Sequence, residues 1–284
     1  MSAATFLSDR SPVPPIGLES VRVSGGVSIR CSQRLGESRI VDVGQRDGYK
    51  VRMPRRSAPP EAVIINTGGG VAGGDDVAQE IVVDDGAALT VTTQASERIY
   101  RSHNDAVTNV DVRASLGDGA QLNWLPQDTI LFDGAMLRRR MTAEIAASAR
   151  LLVGETVVFG RAAMGETLQT GLFQDQWRLK RDGRLVFAEN ILLRDETFRL
   201  LAAPVVAGAA QATLTLVLIA PDAEDRLAAT RKVLRNAGFE CAASAWNGMI
   251  MVRGMAAKVE AIRHLMRDLV PVLQGISVPR VWWT

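Results

Sequence analysis

Asn66-Thr67-Gly68-Gly69-Gly70-Val71-Ala72-Gly73-Gly74-Asp75 is the stretch that decides the class of fold. Its five glycines within seven positions demand backbone that residues carrying a Cβ reach only at a cost. Gly68, Gly70 and Gly73 satisfy the G-x-G-x-x-G spacing of a dinucleotide site, which needs a strand before it and a helix opening directly after it. Ala62-Val63-Ile64-Ile65 supplies the strand. The helix is missing, because Gln79-Glu80-Ile81-Val82-Val83-Asp84-Asp85-Gly86 reads as a strand running into a turn. No Gly-Lys-Ser/Thr completes a phosphate loop. The stretch is therefore read as a tight backbone crossing inside an all-β body.

The flanking sequence agrees. Val21-Arg22-Val23, Val27-Ser28-Ile29-Arg30, Ile40-Val41-Asp42-Val43 and Tyr49-Lys50-Val51-Arg52-Met53 alternate at period two between turns. Asp85-Gly86-Ala87-Ala88-Leu89 recurs 33 residues later as Asp118-Gly119-Ala120-Gln121-Leu122. A degraded copy, Ala147-Ser148-Ala149-Arg150-Leu151, follows after 29 more. Gln94 and Gln127 each lie five residues past the leucine, and Tyr100, Phe132 and Phe159 lie eight to eleven past it. Repeats of this length announce stacked units that cannot bury their apolar faces singly. The expectation is a coiled, β-helix-like stack of short strands.

Further strands are expected over Gly171–Leu179 and Leu185–Leu193, joined by a turn at Arg181-Asp182-Gly183. Leu200–Ala220 is long and uncharged, but Pro204, Gly208 and Gln211 interrupt it and Thr213-Leu214-Thr215-Leu216 alternates, so it reads as a loop and a buried strand rather than a membrane span. Two helices close the chain. Asp222 is placed as N-cap of the first, with the stripe Leu227, Thr230, Leu234, Ala237 and a stop at Gly238. The second starts near Ala256, carries Val259, Ile262, Met266 and Leu269, and ends at Pro271. Residues 1–17 read as a flexible lead-in, 18–220 as the β body and 221–284 as the helix-containing part of the same domain.

Composition removes several function classes. The 284 residues are 47% hydrophobic and carry 33 basic against 31 acidic side chains, a net +2 that implies no nucleic-acid partner. Four lysines stand against 29 arginines. Arg138-Arg139-Arg140 reads as a solvated or partner-facing strand edge. Cys31 and Cys241 form no Cys-x-x-Cys pair and fit free buried thiols in a reducing cytosol. His103 and His264 have no metal-ligand spacing, and their scarcity weighs against a histidine-based hydrolase. No apolar signal segment precedes Pro15, which places the chain in the cytoplasm. Acidic residues punctuate the distinctive segments instead: Asp75, Asp128, Asp133, Glu155, Glu166 and Glu189. Paired carboxylates would suit a β-helical carbohydrate-active enzyme, although 5% aromatic residues offer few sugar platforms. Hard oxygen ligands hold divalent cations loosely, and could line a wet passage for an ion.

Several motifs come in a telling order: Thr67-Gly68-Gly69-Gly70 with Gly73-Gly74-Asp75, then Thr92-Thr93-Gln94-Ala95 with Arg98-Ile99-Tyr100-Arg101, then Trp124-Leu125-Pro126-Gln127-Asp128-Thr129-Ile130. Gly160-Arg161-Ala162-Ala163-Met164-Gly165-Glu166 and Pro279-Arg280-Val281-Trp282 complete the series. From about Leu18 to the end the chain resembles the UreD (UreH) urease accessory protein family. Asp128 stands where that family usually has glutamate and Arg98 where lysine is common; both keep the charge. The resemblance implies a non-catalytic scaffold with a coiled β fold and two helices. It implies binding to apo-urease, UreF and the GTPase UreG, and delivery of nickel to urease through an internal tunnel with no tight metal site or cofactor. Glu166 and Glu155 are the leading candidates for the ion route, with Thr92, Gln94, Asp133, Glu189 and Asp75 behind them. Thr67, Gly68, Gly69, Gly70, Gly73 and Gly74 are expected to be structural.

Overall fold

A computed structural model describes residues 22–55, 57–161, 164–208 and 210–283. The proposed lead-in 1–17, the starting point at Leu18, Ala162-Ala163 and Thr284 lie outside the described residues. The chain is mainly β: a solenoid of about four turns with few helices, as the repeat led us to expect. Ser24–Arg34, Asp76–Val83, Thr108–Leu116, Met136–Ile145 and Leu172–Arg181 run parallel in one sheet. Antiparallel strands flank them, Glu37–Arg46 on one side and Arg184–Arg194 on the other. Opposite, Glu61–Asn66, Ala88–Thr93, Gln121–Leu125 and Arg150–Phe159 are parallel rungs of the second sheet. Tyr49–Arg52 caps its first edge, and Ala212–Ile219, Met249–Ala256 and Glu240–Trp246 extend the other in that spatial order, all antiparallel. A narrow third side forms where Glu97–Ile99 pairs with Thr129–Leu131 and that with the end of Arg150–Phe159.

The recurrent pentapeptide is the corner of this coil. Leu89, Leu122 and Leu151 are direct rung neighbours, all wholly buried. Each removes a full leucine side chain from water, worth roughly 1.5–3 kcal/mol. Asp118 accepts from Gly86 N–H at 2.7 Å through its carbonyl, and Ser148 Oγ donates to the Asp118 carboxylate at 2.8 Å. The glutamines also align, Gln127 Nε2 donating to the Gln94 carbonyl at 2.8 Å. The aromatic positions need a correction of one residue: Phe159 stacks on Leu131 and Ile99, whereas Tyr100 and Phe132 pack edge-on beside them at 5.2 Å. The third copy is shorter, so its aromatic arrives one place earlier in the ladder.

The glycine stretch is a crossing between strands with no helix after it. Gly70 has φ +154°, and a Cβ there would lie 2.5 Å from the Tyr100 ring. That ring is held down by Tyr100 OH donating to the Gly69 carbonyl at 3.0 Å. Asp75 takes backbone amides of Ala72 and Val23, at 2.8 and 2.9 Å.

The helical part departs from expectation at both caps. The first helix is Leu227–Leu234, preceded by a 3-10 turn Glu224–Arg226, and no side chain caps it. Asp222 instead pairs with Arg226 at 2.8 Å and with Arg150. The second helix, Val259–Gln274, runs through Pro271 to a left-handed Gly275. Proline forfeits one hydrogen bond there, but Leu273 is wholly buried and Gly275 N–H closes the turn onto the Pro271 carbonyl at 2.9 Å. A short helix, Glu196–Leu200, lies in the segment ahead of the buried strand. Two apolar cores result, one between the sheets and one beneath the closing helices.

Candidate functional site: a charged interior at one end of the coil

Inward positions of the two sheets are apolar along most of each rung. Ile29, Ile81, Ala114, Ala143 and Leu179 form one such row. Four residues earlier on each strand the row reads Val77, Val110, Arg139, Asp175, and there the interior turns charged. This corrects the reading of Arg138-Arg139-Arg140 as a strand edge. The strand is central, Arg138 and Arg140 face out, and Arg139 is 5% exposed inside the coil. Alternation alone required it, since Leu137, Met141, Ala143 and Ile145 are all inward.

Arg139 forks two hydrogen bonds onto Asp175, at 2.7 and 3.1 Å, and its Nη1 meets Glu155 Oε2 at 2.6 Å and Thr129 Oγ1 at 3.2 Å. Trp124 Nε1 donates to Glu155 at 3.0 Å, and Trp177 Nε1 to Asp175 at 3.2 Å. Burial alone would lower the guanidinium pKa, but the charges of Asp175 and Glu155 hold it above its ordinary value. Burial pushes the Glu155 carboxyl up, with the Arg139 charge opposing it.

A cavity of about 50 Å³ adjoins this cluster. Its far wall carries half-buried Glu97, whose carboxylate accepts from Asn66 Nδ2 at 2.9 Å and Tyr49 OH at 3.4 Å. Desolvation raises the Glu97 pKa to about 7, against those hydrogen bonds. Asn66 also donates to the Gly70 carbonyl at 3.0 Å, so the glycine crossing is what aims Asn66 at Glu97. Buried Gln79 lines the same cavity with an Oε1 that has no hydrogen-bond partner.

Of the seven ion-route candidates, Glu155 alone lines this cavity. Thr92 is buried on the other face of its sheet and accepts from Trp282 Nε1 at 3.0 Å. Gln94 is exposed, and Asp75 serves the glycine crossing. Asp133 and Glu166 sit on two loops that meet at the outside of the coil: Glu166 is gripped by Arg161 at 2.8 and 3.0 Å, and Asp133 by Arg101 at 2.5 Å and the amides of Gln169 and Thr170. Hydrogen bonding to Arg161 leads the effects that bring the Glu166 pKa below its usual value. Glu189 pairs with Arg253. Asp128, 2% exposed, accepts from Arg263 Nε at 3.0 Å and so ties the last helix to the coil. Among the described residues no group of three or more His, Cys, Asp and Glu could hold a metal ion, and no helix is long and apolar enough to cross a membrane. Sequence reasoning missed Glu97, Tyr49, Gln79, Arg139 and Asp175. Period-two alternation could have found Arg139 and Asp175. It could have found Gln79 too, in step with inward Val77, Ile81 and Val83, whereas Glu97 carries no such signal because only the coil brings it to the cavity.

Comparison with known proteins bears on what such an interior is for. Residues 23–283 match the family described as UreD urease accessory protein. The chain is 43% identical to the urease accessory protein UreD of Methylobacterium sp. (strain 4-46), over 88% of this chain and 90% of that one. It is 42% identical to the UreD of Xanthobacter autotrophicus over 93% and 91%, and 40% identical to that of Azorhizobium caulinodans over 92% and 96%. With its coiled β body, its glycine crossing and its match over nearly the whole length, the chain belongs to the UreD urease accessory protein family.

Proposed function

We propose that this chain serves urease maturation in the cytoplasm as a non-catalytic scaffold that binds apo-urease, UreF and UreG, and that nickel ions in transit to urease pass through its interior. The observation that carries the passage is the charged end of the coil, where Glu155, Arg139 and Glu97 line a cavity and Asp175 pairs with Arg139, inside an otherwise apolar core. Burying such groups is unfavourable unless they are paired, so their concentration in one place asks for a reason beyond folding. Oxygen donors suit a divalent ion that must be released again, since thiolate and imidazole ligands would retain it. Glu155 is the interior member of the route. Glu166 and Asp133 form an outer pair on two neighbouring loops, whose carboxylates are within reach of solvent.

A carbohydrate-active enzyme gains no support from this arrangement. Glu155 and Asp175, the two carboxylates brought together, share one buried guanidinium and offer no free acid–base pair. The test is nickel loading of urease in cells carrying Glu155→Gln or Glu166→Ala. Urease nickel and activity are expected to fall together while the accessory complex still co-purifies. Normal nickel content in both variants would sink the passage, and loss of the complex would make the residues structural.

A further inference from the structure

Glu61, Asp75, Asp128, Glu155 and Asp175 are the buried carboxylates among the described residues. Donors hold all of them but one. Backbone amides serve Asp75, Arg263 serves Asp128, and Arg139 serves both Glu155 and Asp175. Glu61 is 7% exposed, yet its Oε1 has no hydrogen-bond partner. A buried acceptor left open is unfavourable, and a charged one more so. Burial pushes the Glu61 carboxyl up, opposed by the charge of Arg280, with no hydrogen bond between the two. Opposite charges are thus held apart across a gap.

The gap is a cavity of about 440 Å³, within the range of small-molecule sites. Glu61 and its rung neighbour Thr90 lie on the face of the second sheet turned away from the core between the sheets, to which Ala62, Ile64, Leu89 and Val91 belong. The sheet therefore separates this cavity from the one beside Arg139. The loop after Tyr49–Arg52 brings Arg55 to it and the C-terminal segment brings Arg280, both exposed and so on its solvent side. We infer that this cavity binds a free α-amino acid with a small aliphatic side chain, its ammonium on Glu61 and its carboxylate on Arg280 and Arg55. A simple cation would have to pass two guanidinium groups, and one carboxylate offers a metal ion too few ligands. A simple anion would pair with the arginines but leave Glu61 buried without a donor. A zwitterion meets both charges in the order the cavity presents them, and charge-assisted hydrogen bonds at its two ends are the strong kind. Pro54, Pro59, Ile276 and Val278 supply apolar wall for the side chain. The site is independent of the interior passage.

The test is calorimetric titration of the full-length chain, co-produced with UreF, with L-alanine and L-valine. Isovalerate and isobutylamine, which are valine without its ammonium and without its carboxylate, are titrated beside them. At least one of the two amino acids is expected to bind at one per chain with a Kd of about 1 mM or tighter. Each half-ligand should bind at least about tenfold more weakly than L-valine. Glu61→Gln is close to isosteric and Arg280→Gln changes an exposed residue, so circular dichroism should show both folded. Each is expected to weaken amino-acid binding about tenfold or more. A Kd weaker than about 1 mM for both amino acids would overturn the site. Unchanged affinity in both variants would place the ligand elsewhere and overturn it as well. Isobutylamine binding as tightly as L-valine would mean that Glu61 takes a plain cation, and would overturn the zwitterion.

Discussion

At the scale of single residues, the interior carboxylates give the molecule a measurable dependence on pH. Burial pushes the Glu97 carboxyl up to about 7 in the folded chain, against an ordinary value of 4.5. Between those values the folded state binds the proton more tightly than the unfolded state. The favourable term is therefore present at low pH and is lost as the pH rises through 7. The loss amounts to roughly 3 kcal/mol. Urea unfolding at pH 5.5 and pH 8 should show wild type losing stability relative to Glu97→Gln on going to pH 8. Parallel curves for the two chains would mean that Glu97 is well solvated. Arg139 acts oppositely. Replacing it with Met leaves Glu155 and Asp175 buried without their cation, and breaking such a pair is destabilising by about 3–5 kcal/mol. Chemical denaturation checks this, and a change below 1 kcal/mol would show that the carboxylates find other partners.

At the scale of elements, two seams hold the coil to its additions. The glycine crossing packs so closely on Tyr100 that a methyl group has no room at Gly70, whereas nothing lies within 4 Å of a Cβ at Gly69. Gly70→Ala should therefore lower the thermal midpoint well beyond Gly69→Ala, whose penalty is the left-handed backbone alone, about 1 kcal/mol. Equal losses would remove the steric account. The other seam is the C-terminal segment. Trp282 is 7% exposed, donates to Thr92 and receives Arg267 Nη2 on its carbonyl at 2.5 Å, while Trp283 lies under the Arg267 guanidinium at 4.6 Å, largely exposed. Trp282→Ala should destabilise the chain by about 3–5 kcal/mol, read by thermal unfolding. Trp283→Ala should change little.

At the scale of the whole molecule, the surface carries clustered apolar side chains. Leu192, Leu200, Val205 and Val206 are 60%, 56%, 95% and 47% exposed on and just after the last strand of the first sheet. Beside them a cleft of about 560 Å³ is lined by Phe159, Ile191, Leu193, Leu201 and Leu214. With a net charge of only +2, little repulsion keeps such patches apart. The chain is expected to aggregate when produced alone and to become soluble with UreF, as size-exclusion chromatography would show. A monodisperse monomer at high concentration would defeat this. The edge strand Glu240–Trp246 is a second exposed margin that such a partner could cover.

Sequence by itself determined the coil. Alternation, the recurring Asp-Gly corner and the glycine crossing are local: each states which face a residue takes or where the backbone must turn, and stacking identical units follows from that. The same locality placed Leu89, Leu122 and Leu151 on one column and the two-residue Asp182-Gly183 turn between its strands. Tertiary structure decided what the coil encloses. Glu97 and Gln79 lie on different sides of the coil, and Arg139 on yet another turn, so no spacing along the chain relates them. It also decided the helix ends, where an ion pair with Arg150 drew Asp222 away from capping and the burial of Leu273 carried a helix past proline. In each case a long-range contact outweighed a local preference worth about 1–3 kcal/mol, and such contacts exist only once the turns have stacked.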